Sequence, residues 1–253
     1  MEGHTEPILK IIVLEPSKML TANEEKVPDT PKVISCSLDN TILLWDFEKM
    51  EIITKMEAPE HSELSCMTFL YNCCLVATGH EDGAIRLWNM EINSSVLLKC
   101  NESQRHKNTI SCIHGTVWKD SEFLLCGSYD GKISVWEISE KKASGGGSTH
   151  SSTIYPQLRH LIDNTKVYKD NSQMFDGDEV LVLNIYQPPD GQDGYILVGG
   201  NNVKIQIYSI RTGLIVDEMA GHTDSITCMV LEGYMLFTGS DDGTIRSWNM
   251  VNF

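Results

Sequence analysis

The sequence predicts an all-β protein, and three observations lead there. Five segments of the 253-residue chain repeat one spacing, with a turn residue six positions before an aromatic residue and isoleucine three before it. Asp-Gly or Asp-Asn marks the turn in most copies, and these residues tolerate the positive φ of a two-residue hairpin. The run after each turn alternates between two faces that both carry bulk, as in a strand covered on both sides by stacked sheets.

The repeats follow in order. The first is Ser35-Cys36-Ser37-Leu38-Asp39-Asn40-Thr41-Ile42-Leu43-Leu44-Trp45-Asp46, and the second runs from Ala77-Thr78-Gly79 through Asp82-Gly83 and Ile85 to Trp88-Asn89. The third holds Cys126-Gly127-Ser128-Tyr129-Asp130-Gly131, Ile133 and Trp136. The fourth is worn: Val198-Gly199-Gly200-Asn201-Asn202, Ile205, Tyr208. The fifth holds Thr238-Gly239-Ser240-Asp241-Asp242-Gly243, Ile245 and Trp248. Ser247 stands where the other copies place Leu, Val or Ile, which predicts less burial there.

From aromatic to aromatic the steps are 43, 48, 72 and 40 residues. The long step carries an insertion at 138–176, with a flexible Ser144-Gly145-Gly146-Gly147-Ser148 spacer, a short strand at Thr153-Ile154-Tyr155 and a helical turn over Pro156 to Asp163. It is expected to leave the sheet. A second insertion covers 15–33. The units are therefore about 3–56, 57–100, 101–137 plus an outer strand, 177–219 and 220–253.

Composition narrows the function. Net charge is −15, from 20 basic and 35 acidic residues, and such a surface repels phosphate backbones and anionic lipid. Nucleic acid and membrane are excluded as expected partners. No apolar run approaches the roughly 18 residues of a membrane helix. The eight cysteines form no C-x-x-C pair, and several sit in strand-like runs, where cysteine acts as a small hydrophobe. This usage predicts a reducing compartment.

A histidine stands upstream of most turns: Gly3-His4, Glu60-His61, Arg105-His106 and Gly221-His222, with Gly177-Asp178 in the fourth copy. With the Asp-Gly turn and the Trp-Asp-like end, these residues resemble the WD-repeat β-propeller family. The resemblance implies a radial array of four-stranded blades, here five, in an open ring lacking the outer strand of the last blade. It also implies a buried chain of histidine, hydroxyl, aspartate and tryptophan in each blade. Carried over, the chains are His4, Ser35, Asp39 and Trp45; His61, Thr78, Asp82 and Trp88; and His222, Thr238, Asp242 and Trp248. In the third copy His106, Asp130 and Trp136 match, but Cys126 takes the hydroxyl place. Val198, Asn202 and Tyr208 predict no such chain in the fourth.

Chemistry has little foothold. No H-E-x-x-H, G-x-x-x-x-G-K or G-x-S-x-G occurs. Asp176-Gly177-Asp178-Glu179 and Asp190-Gly191-Gln192-Asp193-Gly194 do not fit a twelve-residue calcium loop. His80 reads as a surface turn residue, and Arg86 and Arg246 as members of buried or rim ion pairs rather than a phosphate clamp. No cofactor, metal or catalytic residue is expected. The expected function is a non-catalytic scaffold binding other proteins, including further propeller segments of the same or another chain. A propeller-framed hydrolase and a phosphopeptide-reading adaptor are the alternatives. The expected location is cytoplasmic, with a lean to the cytoskeleton, because enlarged blades and an unfinished ring resemble the long multi-propeller proteins of ciliary axonemes.

Overall fold

A computed structural model describes residues 2–14, 31–58, 62–142, 152–164, 179–189, 191 and 193–251. The described chain forms five antiparallel sheets. The first is β1 (Ile8–Leu14), β2 (Lys32–Ser37), β3 (Thr41–Asp46) and β4 (Glu51–Glu57). The second is β5 (Leu64–Leu70), β6 (Leu75–His80), β7 (Ile85–Asn89) and β8 (Ser94–Leu97). The third is β9 (Ile110–Trp118), β10 (Ser121–Ser128), β11 (Lys132–Lys142) and β12 (Ser152–Asp163). The fourth is β13 (Val180–Tyr186), β14 (Tyr195–Gly200), β15 (Lys204–Ser209) and β16 (Ile215–Ala220). The fifth has three strands among the described residues: β17 (Ile226–Glu232), β18 (Met235–Ser240) and β19 (Ile245–Asn249).

Strands follow one another across each sheet in chain order, each antiparallel to the next. The turns before β7, β11 and β19 place Gly83, Gly131 and Gly243 at φ of 76°, 72° and 77°, where a side chain would be strained. Asn40 takes the same region at 61°, which its short polar side chain tolerates. First strands of successive sheets pack side by side, β1 on β5, β5 on β9, β9 on β13 and β13 on β17. That contact places them at the inner edge of an arc, with β4, β8, β12 and β16 outermost.

The repeat spacing becomes the core. The isoleucine of one sheet and the aromatic of the next share each intersheet cluster: Ile42 with Trp88, Ile85 with Trp136, Ile133 with Tyr208, Ile205 with Trp248. Each buried isoleucine contributes about 1.5–3 kcal/mol by leaving water. The isoleucine and the aromatic are three apart, so they point to opposite faces and link three sheets through one strand.

Two expectations need correction here. The part of the 138–176 insertion that the structure describes through Asp163 belongs to a long hairpin and stays in the sheet. β11 and β12 pair from Lys132↔Asp163 out to Lys142↔Ser152, and 153–163 contain no helical turn. Pro156 is accommodated because β12 is an edge strand, where a missing N–H costs no ladder bond on the open side. Burial of both faces also fails in β19, whose residues Ile245, Arg246 and Ser247 are all exposed. The Ser144–Ser148 spacer, most of the 15–33 insertion and Asp176–Asp178 lie outside the described residues.

Candidate functional site

The residues that could carry chemistry are the histidines and aspartates of the turns, and the structure spends them on one another. In the first sheet Trp45 Nε1–H donates to Ser35 Oγ (2.8 Å), His4 Nε2 lies 2.7 Å from the same oxygen, and His4 Nδ1 lies 3.0 Å from Asp39 Oδ2. The fifth sheet repeats this: Trp248 donates to Thr238 Oγ1 (2.9 Å), His222 Nε2 is 2.8 Å from it, and His222 Nδ1 is 2.9 Å from Asp242. A hydroxyl has one proton to give. Having accepted from the indole, it donates to Nε2, which leaves Nδ1–H to donate to the carboxylate.

The aspartates are held ionised. Burial alone would raise the Asp39 carboxyl, but hydrogen bonds from the Thr41 hydroxyl, the Thr5 and Thr41 amides and His4 outweigh it and bring it down to about 2. Asp130 also sits at about 2, where His106 and the Lys107 and Lys132 amides override burial. The Thr244 hydroxyl leads the groups that lower Asp242. A carboxylate so depressed is a poor general base near neutrality.

The third sheet assembles the chain from a different residue. Cys126 stands at the hydroxyl place, and Ser134 of β11 supplies the oxygen instead. His106 Nε2 lies 2.9 Å from Ser134 Oγ, Trp136 Nε1–H donates to it at 3.0 Å, and His106 Nδ1 is 3.2 Å from Asp130. Sequence reasoning missed Ser134. The signal was available as a serine two residues before the tryptophan in the copy lacking the usual hydroxyl.

The second sheet corrects a larger misreading. His80 is fully buried, not a surface turn residue. Its Nε2 is 2.9 Å from Thr78 Oγ1, which accepts from Trp88 Nε1–H at 2.7 Å, and its Nδ1–H donates to the Ser62 carbonyl at 2.7 Å. Ser37, Ser128 and Ser240 hold the matching positions and also bond to a preceding loop carbonyl, at Glu6, Asn108 and Asp224. His80 thus does the work of that serine and reaches the hydroxyl as well. Burial lowers its pKa, so it sits neutral. Asp82 binds the Ala84 amide and Ser62 hydroxyl and pairs with Arg105 at 3.5 Å. His61 lies outside the described residues.

In the fourth sheet Tyr208 donates to Asn164 Oδ1 at 2.5 Å, a buried partner at the end of β12. Glu122 is another buried acid the motifs did not flag. Desolvation raises its pKa while the Asn72 and Cys73 amides bind its oxygens at 3.2 and 2.8 Å, clamping the second sheet's inner turn to the third. Arg86 and Arg246 form no ion pair among the described residues, and Arg86 Nε is buried without a hydrogen-bond partner there.

Other reactive groups are muted. Burial pushes the Cys66 and Cys112 thiols up to about 12, so they stay protonated and weakly nucleophilic. No cluster of His, Cys, Asp and Glu among the described residues could hold a metal ion. A hollow of about 190 Å³ between the second and third sheets is lined by Leu97, Cys100, Arg105 and Trp136, and one of about 430 Å³ on the first sheet by Gly3, Ile8, Ile11 and Trp45. The first hollow also borders His106, and the second borders His4 and Ser35, whose hydrogen bond at 2.7 Å belongs to the first sheet's bracing chain. No helix among the described residues is long and apolar enough to cross a membrane.

Known proteins share this arrangement. The model of the WD domain, G-beta repeat, matches residues 1–46, 51–89, 98–137 and 213–249. Mitochondrial division protein 1 of Candida glabrata is 27% identical over 204 residues, covering 76% of this chain and 26% of that protein. Apoptotic protease-activating factor 1 of Danio rerio is 23% identical over 232 residues, 85% of this chain and 18% of that protein. The WD repeat-containing protein 26 homolog of Arabidopsis thaliana is 21% identical over 266 residues, 98% of this chain and 42% of that protein. The chain thus spans less than half the length of these relatives. Among solved structures, a chain of the Mitotic Checkpoint Complex crystal structure superposes with a TM-score of 0.59 at 16% identity, covering 87% of this chain and 57% of that one.

Proposed function

The chain belongs to the WD-repeat family, and from that premise we propose that it is a non-catalytic scaffold, binding other proteins through the faces and inserted loops of its propeller blades within a larger assembly. The observation that carries this is the spending of every described turn histidine on an internal partner: His4 and His222 on aspartate and hydroxyl, His106 on Asp130 and Ser134, His80 on Thr78 and a carbonyl. Those chains are bracing in this reading. A group already paired on both ring nitrogens has nothing left for a substrate. The depressed aspartates and protonated thiols support the same conclusion.

The partners are proteins, bound in a reducing, cytoplasmic setting that the eight free cysteines favour. None of the relatives named above has a ciliary name, so the lean to the axoneme gains no support. Arg86 and Arg246 lie in different sheets and share no hollow, which disfavours phosphopeptide reading.

The test pairs proximity labelling with a hydrolase panel. Replacing residues 165–178 by a Gly-Ser segment of equal length is expected to remove specific neighbours while leaving the melting temperature in place. Reproducible turnover abolished by substituting one loop carboxylate would overturn the scaffold reading.

A further inference from the structure

The second and third sheets part where the outer strand of the second runs out. β8 is four residues long, against twelve in β12. It ends at Leu97, and the Leu98 amide still donates to the Ile85 carbonyl at 2.9 Å. The chain then leaves the sheet through Lys99 and Cys100 into a 3-10 turn at Glu102–Gln104. The consequence shows at the aromatic of the following sheet. Between the third and fourth sheets, Asn164 at the end of β12 reaches Tyr208. Between the second and third, β8 stops short, and the hollow of about 190 Å³ lies beside Trp136 instead.

This hollow has an apolar floor and a cationic rim. Ile85, Leu98 and Trp136 are buried along it, and Leu97 is half-buried. Lys99 and Arg105 supply the charge, and no acid lines it. That is a local reversal in a chain of 35 acidic and 20 basic residues. Its volume falls below the roughly 300–1,000 Å³ of sites for drug-sized molecules, so it fits one bulky side chain rather than a cofactor.

Arg105 is loosely engaged. Its guanidinium lies 3.5 Å from Asp82, the two side chains are 54% and 39% exposed, and such a pair contributes little. The cause is the rearranged chain of the second sheet. Elsewhere a histidine holds the turn aspartate: His4 on Asp39, His106 on Asp130, His222 on Asp242. In the second sheet His80 turns to Thr78 and the Ser62 carbonyl, and the Asp82 carboxylate reaches Arg105 of the third sheet.

We propose that this hollow is a docking site for a partner protein, taking a segment with a bulky apolar side chain and a carboxylate beside it. The apolar side chain enters over Leu98 and Trp136. The carboxylate takes Arg105 in place of Asp82, with Lys99 adding to the attraction. Burial of the side chain supplies affinity, and the charge sets which segments fit. The net charge of −15 repels an acidic partner at long range, but physiological salt screens that beyond about 8 Å and leaves the contact with Arg105 in force. This deepens the scaffold reading by naming a surface and the chemistry it takes, and it rests on that reading in taking the occupant to be a protein.

The probe is a phage-displayed library of short random peptides, selected on the full chain at physiological salt after depletion on Arg105→Glu. Enriched peptides are expected to carry Leu, Ile, Met or an aromatic within a few positions of Asp or Glu. Synthetic copies, followed by fluorescence polarisation, are expected to lose at least about tenfold in affinity on Arg105→Glu and less on Lys99→Glu, with the melting temperature unchanged in both. Asp82→Asn removes the competing carboxylate and keeps an oxygen for the Ala84 amide, so it is expected to tighten binding. Alkylation of Cys100 by N-ethylmaleimide, verified by peptide mapping, fills the hollow and is expected to abolish binding, while Cys100→Ser treated alike keeps it. An empty selection, enriched peptides without an acid, or weaker binding on Asp82→Asn overturns the proposal. Peptides whose affinity is unmoved by Arg105→Glu and by alkylation of Cys100 also overturn it, and they leave the scaffold reading standing because they bind at another surface. Turnover in the hydrolase panel is a separate outcome that strikes the scaffold reading alone.

Discussion

The second and fifth sheets carry nearly the same sequence around the turn, and they differ in what surrounds them. Their polar chains are equally well made: Trp88 to Thr78 at 2.7 Å, Trp248 to Thr238 at 2.9 Å. Their isoleucines are not equally placed, since Ile85 is in the core and Ile245 faces solvent. Internal bracing is thus a property of one sheet and needs no neighbour. Apolar burial is a property of a pair of sheets and disappears when one is lacking. The two kinds of stabilisation are separable in the same protein.

The largest effect that would break this contrast is at the isoleucines. Ile85→Ala removes side-chain volume from a filled intersheet cluster and is expected to cost about 2–5 kcal/mol, while Ile245→Ala should stay within about 0.5. Urea unfolding of the two variants checks it, and equal losses would show that the fifth sheet's face is covered after all.

The glycines sharpen the contrast further. Gly79→Ala drives a methyl into Ile110 and should cost about 1–3 kcal/mol as overpacking. Gly239→Ala meets only an exposed thiol that can swing away, so its midpoint should barely move.

Next come the hydroxyls, which test whether bracing is local. Ser134→Ala leaves the Trp136 indole N–H and His106 Nε2 without their shared oxygen, at an expected cost of about 1–3 kcal/mol. Cys126→Ser in that background places a hydroxyl where the first, second and fifth sheets have theirs. Recovery of part of the loss would show that the position, not the strand of origin, matters.

The smallest effect is in pH, and it sorts the sheets. Asp39 and Asp130 are at about 2 against an ordinary 3.8, so their stabilisation is complete above pH 4 or so and is lost as pH falls toward 2. His80 is lowered instead. The unfolded chain binds a proton there more readily, and the second sheet should weaken as pH drops below about 6.5. Hydrogen exchange resolved by sheet should show the second sheet loosening first and the first and third only in stronger acid. Simultaneous loosening would mean that the bracing does not set local stability.

Much of this was legible beforehand because it is periodic. The turn-to-aromatic spacing located β3, β7, β11, β15 and β19. Substitutions that kept the chemistry while moving the atom were not legible. Ser134 replaces a hydroxyl from the neighbouring strand, and His80 replaces a serine while extending two residues back to Thr78. A spacing rule scores both as mismatches, because it records positions along the chain and not the point in space where an oxygen is needed. The length of the outer hairpin was not legible either, because β11 runs past the unit boundary at 137 to Lys142 and pairs there with β12.

What the amino-acid order settled alone is therefore the unit: strand, turn, strand, and the alternation that puts isoleucine and tryptophan on opposite faces. Those follow from φ preferences and side-chain direction, which act over a few residues. Which face is buried, which histidine completes which chain and which glycine is filled were decided only in three dimensions. Each depends on atoms brought from another strand, loop or sheet, and burial and hydrogen bonding respond to proximity in space rather than to distance along the chain.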